Sequence, residues 1–383
     1  MQGVRQTIWV LASNILIVLA LLVTIDLIVS NSSLRFKLIP DSFRIPDTRI
    51  HHTLEKNVSA GLAIWGAARY AFSTNSLGFR DSTVRVVKLA PEKSVRVLFL
   101  GDSFTEGVGL PWEKTFVGIF QSHFPGVEVL NAGVIGYSPS IYLRQVERLL
   151  SNGFLTTHVI VYIDISDVQD EALYKFDEEG NVVDSGFVVN PFARVSDPPE
   201  TIQYYRAPGP THVADWRHLL LSNLRLTRYL VHEVFYFGKD RREHGSDRLV
   251  KSMWTVMGSK LQYGYGDLGV DGGIEKELHN MDQLADILRK KGVGFSVAVY
   301  AWPDQLEYDM VESREVRIWR SWCKTNGCER FINHFPDFFA LKSQGNWRDL
   351  VYIHGDVHFN TRGNEIVAMR LVTEMANVLE QRR

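Results

Sequence analysis

The chain has 383 residues, and its 42 lysines and arginines against 44 aspartates and glutamates leave a formal charge of −2. This balance provides no basic surface for wrapping nucleic acid, so we expect no nucleic-acid partner. A hydrophobic share of 45% excludes a disordered chain, and two cysteines are too few for a disulfide-built scaffold or a four-cysteine zinc module.

The first predicted element is an apolar run from Ile8 to Val29, whose 22 residues match the ~20 that a helix needs to cross a bilayer. A cleaved signal peptide has a shorter apolar stretch followed by a small-residue cleavage site, and this chain has neither feature. We therefore predict that residues 1–30 form an uncleaved signal anchor that spans the membrane once.

Charges beside the apolar run predict its orientation. Arg5 precedes the run, so the positive-inside rule places the N-terminus in the cytoplasm and the domain on the periplasmic side of the inner membrane. Arg35 and Lys37 follow the run and weigh against this orientation. We interpret Asp26, near the outer end, as reaching the membrane interface, because a charge at mid-depth is costly and would indicate a membrane-protein partner.

Residues 31–93 lack sustained periodicity and contain turn formers such as Pro40 and Asp41, so we predict a tether and N-terminal extension there. The folded domain, residues 94–383, begins with a continuous apolar run that is typical of a strand buried on both faces. Strand patterns occur at Val95 to Leu100, Val127 to Leu130, His158 to Ile163, Phe295 to Tyr300 and Arg330 to Ile332, and helical patterns lie between them at Thr115 to His123, Ile141 to Leu150 and Ile274 to Lys291. This alternation predicts an α/β fold with a parallel sheet covered by helices on both faces.

A long insertion interrupts the alternation at about residues 172–273. It contains turn clusters, a helical pattern near Ala214 to Phe237 and several aromatic residues, among them Trp254 and Tyr265. An insertion of this length at a sheet end can form a lid or a binding wall. The alternative, that its aromatic side chains pack the insertion onto the core, is equally consistent with the sequence.

Ser103 is the candidate nucleophile. The first strand of the domain stops at Gly101-Asp102 and delivers Ser103 to the start of a helix, at the carboxyl edge of the sheet where ligands bind in open α/β folds. Backbone N–H groups at such a position are suited to hold an oxyanion. Taken alone, the same three residues could form a tight turn with Ser103 as a helix cap.

Asp356 and His358 lie two positions apart near the C-terminus, just before an amphipathic helix. Serine is a poor nucleophile at neutral pH and needs an imidazole that is itself oriented by a carboxylate, and this loop supplies both groups. One alternative is that His358 and Asn360 are polar residues at a helix entry, with Asn360 as the N-cap. Another is metal ligation by His354, Asp356 and His358, for which no fourth ligand is evident.

Together these residues resemble the SGNH hydrolase superfamily, the GDSL esterases and lipases. Gly101-Asp102-Ser103-Phe104 matches the nucleophile block, Asn131 to Ser138 is similar to the second block, and Asp356-Val357-His358 resembles the last block. The spacing of the last pair is similar to that of the membrane-associated polysaccharide acetylation proteins within the superfamily. The resemblance implies a three-layer α/β/α sandwich with a flavodoxin-like parallel sheet of about five strands.

The resemblance also implies the roles of the site residues. Ser103 would attack an ester, His358 would accept its proton, and Asp356 would orient the imidazole. The backbone N–H groups of Ser103 and Gly136 would form the oxyanion hole. An asparagine usually completes that hole, but here Ser166 stands in its place, and the loss of one donor can cost ~10²–10³ in rate. Neither a metal nor an organic cofactor is required.

We therefore expect an ester hydrolase of the O-acetylesterase kind, acting outside the cytoplasmic membrane on an acylated envelope or exported glycan, although lipid esters stay open. With a sugar hydroxyl as acceptor, the same site would be an O-acyltransferase. The departure at Ser166 supports a third hypothesis, a catalytically inert glycan-binding or assembly component whose anchor pairs with other membrane proteins. Trp302 follows a strand at the edge that carries Ser103, so it either forms a substrate wall or packs at the strand end.

The two cysteines predict a disulfide. Cys323 and Cys328 bracket a segment in which Asn326-Gly327 is typical of a helix ending in a left-handed turn. Such a reversal brings the two side chains within bonding reach, and an oxidising compartment favours the bond. The alternative is a pair of buried, reduced cysteines, as expected in a cytoplasmic domain.

Overall fold

The computed structural model describes residues 2–184, 224–227, 229–230, 251–258 and 264–382. The strands in these ranges are β1 (Arg44–Asp47), β2 (His51–Leu54), β3 (Gly61–Trp65), β4 (Ala68–Thr74), β5 (Arg80–Asp81), β6 (Val95–Leu100), β7 (Val127–Asn131), β8 (His158–Ile163), β9 (Lys175–Phe176), β10 (Val182–Asp184), β11 (Gly294–Val299) and β12 (Arg330–Asn333). A mixed sheet of eight strands in the order β12-β11-β8-β6-β7-β5-β4-β3 forms the centre of the molecule, and β1-β2 and β9-β10 are separate two-stranded sheets.

Five strands of the large sheet form the parallel unit that the sequence predicted. β7, β6, β8, β11 and β12 pair in parallel, and numbered along the chain their order is 2-1-3-4-5, which is the flavodoxin-like order. Every residue of β6, β7, β8 and β11 is buried, because helices cover both faces of the sheet. The prediction of a parallel sheet of about five strands is confirmed.

The helices of the described residues are α1 (Gln2–Ser30), α2 (Arg35–Leu38), α3 (Ser103–Glu106), α4 (Phe116–His123), α5 (Pro139–Ser151), α6 (Asp167–Leu173), α7 (Trp254–Met257), α8 (Gly269–Lys290), α9 (Pro303–Tyr308), α10 (Arg314–Asn326), α11 (Phe335–Phe339), α12 (Trp347–Val351) and α13 (Thr361–Glu380), with a 3₁₀ turn at Trp112–Lys114. α8 packs against α5, α6 and α10, and α13 packs against α4 and α12. With helices on both sides of the sheet, the three-layer α/β/α architecture is confirmed.

The structure corrects the prediction of a tether in residues 31–93. This segment contains β1 to β5, and β3, β4 and β5 extend the large sheet beyond β7 as antiparallel strands. Its strands have only two to seven residues, which is too short for periodicity to stand out from the turns between them. The extension is therefore part of the sheet that carries the candidate active site.

The predicted membrane anchor is a single long helix, α1. Its segment Val4–Ser30 contains an 18-residue stretch with a mean hydropathy of 2.6 and no buried residue, and it is the one candidate span among the described residues. Its length and composition suit a membrane crossing. Asp26, which we expected at the membrane interface, is instead buried against protein, where it accepts hydrogen bonds from the backbone N–H groups of Leu226 (3.0 Å) and Thr227 (2.7 Å).

Most of the insertion at residues 172–273, including most of the predicted helix near Ala214 to Phe237, lies outside the described residues. Two of its aromatic residues, Trp254 and Tyr265, are described and buried. The indole N–H of Trp254 donates to the carbonyl oxygen of Ile165 at 2.9 Å, next to the end of β8. These two side chains therefore pack against the domain, in agreement with the packing alternative rather than with a binding wall.

Candidate active site

The segment after β6 presents Ser103 at the carboxyl edge of the sheet. The Asp102 carboxylate caps α3 by accepting the backbone N–H of Phe104 at 3.0 Å, and Ser103 is the first residue of that helix. A side chain at Gly101 would collide with Thr105, so glycine lets the chain turn tightly there. Because β6 lies where the strand order reverses direction, Ser103 occupies the usual ligand-binding position of this sheet.

The loop before α13 brings Asp356 and His358 to Ser103. Ser103 Oγ lies 2.8 Å from His358 Nε2, and His358 Nδ1 lies 2.6 Å from Asp356 Oδ1. With Nδ1–H donated to Asp356, a neutral imidazole leaves a lone pair on Nε2 for the Ser103 proton. The backbone N–H of His358 also donates to Asp356 Oδ1, at 2.9 Å. This bond fixes the position of the Asp356 carboxylate relative to His358.

Electrostatics favour an ionised Asp356 beside a basic His358. Burial opposes the charge of Asp356, but the neighbouring imidazole and the hydrogen bonds it receives lower the pKa of Asp356 to about 2. Burial also opposes protonation of His358, but the charge of Asp356 outweighs it and raises the pKa of His358 above its ordinary value. The pair can therefore stabilise an imidazolium formed during a reaction.

Two aromatic rings enclose the imidazole of His358. The ring of Phe104 lies 4.5 Å away, and the indole of Trp65 meets the imidazole edge-on at 4.8 Å. The indole N–H of Trp65 also donates to Asp356 Oδ2 at 2.8 Å. Trp65 ends β3, so the N-terminal extension contributes a side chain to the site.

The loop after β7 lies beside the Ser103 turn. The backbone N–H of Val134 donates to the Gly101 carbonyl oxygen at 3.2 Å, and a side chain at Gly133 would collide with Thr105. Gly136 follows in a left-handed conformation with φ of 71°. Among the described residues, the backbone N–H groups of Ser103 and Gly136 donate no hydrogen bond, so both stay available for a ligand oxygen.

The structure argues against Ser166 as a third oxyanion donor. The Ser166 hydroxyl lies 2.5 Å from Asp164 Oδ1, and its backbone N–H donates to the same oxygen at 2.6 Å. The hydroxyl proton is therefore directed at Asp164, and the short serine side chain turns back on its own loop. An asparagine, with two amide protons and a longer side chain, would not be restricted in this way.

Trp302 lies at the predicted sheet edge but is buried. It is only 5% exposed, and its indole N–H donates to Asp164 Oδ2 at 2.7 Å. This small free surface and the committed N–H favour the packing alternative for Trp302 over the predicted substrate wall.

Asp102 is a second acceptor beside the Ser103 hydroxyl, with Oδ2 at 3.0 Å from Oγ. The Tyr300 hydroxyl lies 2.7 Å from Asp164 Oδ2 and 3.1 Å from Asp102 Oδ1. Since Tyr300 has one proton to donate, a protonated Asp102 completes this chain of hydrogen bonds. Burial, reinforced by the charge of Asp164, raises the pKa of Asp102 to about 7, which allows that protonated form near neutral pH.

The contacts of Asn360 and His354 bear on the two alternatives that the sequence left open for the loop of His358. Asn360 does cap α13, by accepting the backbone N–H of Gly363 at 3.1 Å, but this leaves His358 free to face Ser103. His354 is directed at Asp349, with 2.8 Å between Nδ1 and Oδ1, rather than at Asp356. Within the described ranges, no group of three or more histidine, cysteine, aspartate or glutamate side chains is arranged to hold a metal ion.

Cys323 and Cys328 form the predicted disulfide, with their Cα atoms 4.9 Å apart. α10 ends at Gly327, whose φ of 71° is left-handed, and the backbone N–H of Cys328 donates to the Cys323 carbonyl oxygen at 3.0 Å. This reversal of the chain is the one that Asn326-Gly327 predicted.

No protein-family model and no curated protein matches the chain. Solved structures to which it is similar include a member of the G-D-S-L lipolytic family from Veillonella parvula, at 13% identity over 73% of this chain and 97% of that chain, with a TM-score of 0.37. Others are the esterase EstA from Pseudoalteromonas sp. (12% identity, 74% and 98%, TM-score 0.37) and an acetylxylan esterase from Geobacillus stearothermophilus (12% identity, 76% and 96%, TM-score 0.37). The functional proposal for this chain depends on the geometry of its own site.

Sequence reasoning missed Trp65 and Tyr300 as neighbours of the site. Trp65 belongs to a segment whose strands are too short to show a pattern, and its partner Asp356 lies 291 positions away along the chain. Tyr300 was recognised only as a strand residue, and its hydroxyl joins Asp102 to Asp164 through contacts between different strands. No local signal in the sequence marks either contact.

Proposed function

We propose that the protein is a serine-dependent acyl-ester hydrolase that acts outside the cytoplasmic membrane on O-acyl groups, of the acetyl kind, carried by an envelope or exported glycan. The observation that carries the proposal is the continuous hydrogen-bond chain from Ser103 through His358 to Asp356. An imidazole oriented by a carboxylate and placed against a serine hydroxyl is the arrangement that activates serine as a nucleophile.

In the proposed reaction, Ser103 Oγ attacks the ester carbonyl carbon while its proton passes to His358 Nε2. The carbonyl oxygen becomes an oxyanion, and the free backbone N–H groups of Ser103 and Gly136 are the donors proposed to hold it. His358 then gives its proton to the leaving sugar oxygen, the C–O bond breaks, and an acyl-Ser103 ester remains. Water, deprotonated by His358, attacks this ester and releases the carboxylic acid and the free serine.

With two backbone donors and no contribution from Ser166, the proposed oxyanion hole is one donor short of the three that the resemblance implies. Loss of one donor typically costs ~10²–10³ in rate, so we expect a slow enzyme rather than an inert protein. The acyl-Ser103 ester can be attacked by a sugar hydroxyl as well as by water, because the same imidazole can deprotonate either acceptor. Transfer of the acyl group to such an acceptor is therefore the second activity to be tested.

Labelling of the full-length protein in detergent with a fluorophosphonate probe tests the proposal. We expect covalent labelling of Ser103 and its loss in Ser103→Ala, because the probe reacts only with an activated serine. Ser122→Ala is the matched control, since Ser122 is exposed and lies 3.5 Å from the imidazole of His123, whose Nδ1 faces the Ile119 carbonyl oxygen at 2.9 Å rather than a carboxylate. Absence of labelling at Ser103, under conditions in which a known serine esterase is labelled, would contradict the proposal.

Acyl release from p-nitrophenyl acetate, with and without an oligosaccharide acceptor, then separates hydrolysis from transfer. Free acetate in both samples supports the hydrolase, whereas acetylated oligosaccharide identifies a transferase. If Ser103 is labelled but neither product forms, the substrate carries an acyl group other than acetyl.

For location, we propose that α1 spans the inner membrane with the domain in the periplasm. Support comes from the length of the apolar helix, from Arg5 on its N-terminal side and from the Cys323–Cys328 bond, which is typical of oxidising compartments. Alkylation without reduction, on protein from native membranes, is expected to leave both cysteines unmodified in a mass spectrum. Two alkylated cysteines would argue against the disulfide and against the periplasmic orientation.

A further inference from the structure

The N-terminal extension contributes one polar contact to the proposed catalytic residues, through Trp65. Its indole N–H donates to Asp356 Oδ2 at 2.8 Å, while Asp356 Oδ1 receives the imidazole and the backbone N–H of His358. Each carboxylate oxygen therefore has a different partner. Rotation of the carboxylate would break bonds at both oxygens, so Trp65 opposes the movement that would release His358.

Trp65 is itself held in place by the fold. It is 7% exposed, and it pairs with Ala68 in the hairpin of β3 and β4, which joins the large sheet through β5 and β7. Its indole also packs edge-on against the imidazole of His358 at 4.8 Å. A rigid donor of this kind positions a reacting group at little further entropic cost.

We propose that Trp65 is a positioning residue, which holds Asp356 in the orientation that His358 requires for activation of Ser103. This inference rests on the proposed function. The charge of Asp356 and its hydrogen bond with the imidazole are what raise the pKa of His358. Without the bond from Trp65 the carboxylate is free to turn away, so this attraction weakens and His358 loses its proton at a lower pH.

The test compares Trp65→Phe, which keeps an aromatic ring but removes the N–H donor, with Trp112→Phe. Trp112 is the matched control, because it is equally buried at 9% exposure and its indole N–H donates to Gln121 at 3.2 Å, away from the proposed catalytic residues. For Trp65→Phe we expect kcat on p-nitrophenyl acetate to fall about 10- to 100-fold, because a misplaced reacting group can cost up to about 10²-fold, with KM unchanged and with the acid limb of kcat/KM moved to lower pH. Trp112→Phe is expected to leave the limb in place.

An acid limb that stays in place or moves to higher pH in Trp65→Phe, or an equal shift in Trp112→Phe, overturns the inference. The titration of His358, followed by NMR of ¹⁵N-histidine-labelled full-length protein and assigned with His358→Gln, gives a readout that needs no activity. If the wild type is inactive but Trp65→Phe still lowers the midpoint of that titration, the positioning role stands and the proposed function fails. An unchanged midpoint refutes the positioning role in either case.

Discussion

Replacement of Asp356 by asparagine is expected to lower kcat/KM for an acyl ester about 10⁴-fold, as the loss of the orienting carboxylate does in serine hydrolases of this kind. An asparagine has one acceptor oxygen, whereas Asp356 accepts from Trp65 at Oδ2 and from the backbone N–H and imidazole of His358 at Oδ1. With its NH₂ group at His358 Nδ1, the imidazole would carry its proton on Nε2 and could not accept the proton of Ser103. With its oxygen there, the negative charge that stabilises the imidazolium would be missing.

Asp349→Asn is the matched control for this prediction. Asp349 lies close to the same loop and pairs with the imidazole of His354 at 2.8 Å, but both side chains are exposed and neither contacts Ser103. Initial rates with p-nitrophenyl acetate near pH 8, beside thermal melts to verify folding, measure the effect. If Asp356→Asn keeps more than a tenth of wild-type kcat/KM, the assignment of Asp356 as the orienting carboxylate is wrong.

Replacement of Arg96 by methionine is expected to cost about 3–5 kcal/mol of unfolding free energy, because the buried carboxylate of Glu128 loses its nearer counter-charge and keeps only the partly exposed Arg85, at 3.4 Å. Arg96 is fully buried on β6 and donates to both oxygens of Glu128, at 2.9 and 3.1 Å. The same guanidinium donates to four backbone carbonyl groups, those of Lys88, Leu89, Ala90 and Leu155. Loss of these bonds releases the segment that leads into the sheet.

Urea unfolding of the full-length protein, followed by tryptophan fluorescence, measures this loss. Lys88→Met serves as the comparison, since it removes an exposed ion pair with Glu92 in the same segment and is expected to have little effect on stability. Adding Glu128→Gln to Arg96→Met is expected to recover part of the loss, because the buried charge that has lost its nearer partner is removed. A cost in Arg96→Met no greater than that in Lys88→Met would contradict the prediction.

Prediction from the sequence succeeded where the signal is local. Nearly continuous apolar runs located β6 and β8 to the residue, since strands covered on both faces are predominantly apolar. The Gly-Asp-Ser and Asp-Val-His segments were recognised because each combines a chemically specific pair with a strand end or helix start. The buried Arg96 within the first of these strands went unnoticed, as its carboxylate partner lies on another strand.

The predictions that the observed contacts do not favour depended on side-chain directions that spacing does not reveal. The position of Trp302 at the sheet edge follows from the topology, whereas the direction of its indole depends on Asp164, 138 positions away. Ser166 could be aligned with a donor position, but its hydroxyl prefers an acceptor two residues away on its own loop. The hydrogen-bond acceptor that each of these two side chains binds depends on which acceptors the folded chain brings near it.

The inclusion of the N-terminal extension in the sheet changes the reach of the domain. A disordered tether over residues 31–93 could extend on the order of 200 Å, whereas the four residues between Ser30 and Arg35 span at most about 14 Å. Two contacts bind α2 to the rest of the extension. Arg35 pairs with Glu55 at 2.9 Å, and the ammonium of Lys37 donates to the Ala60 carbonyl oxygen at 2.6 Å. On the proposed topology, this short connection holds the domain beside the membrane. The enzyme can therefore act only in the thin layer next to the lipid headgroups. A polymer would have to be modified there, as it leaves the membrane, or not at all.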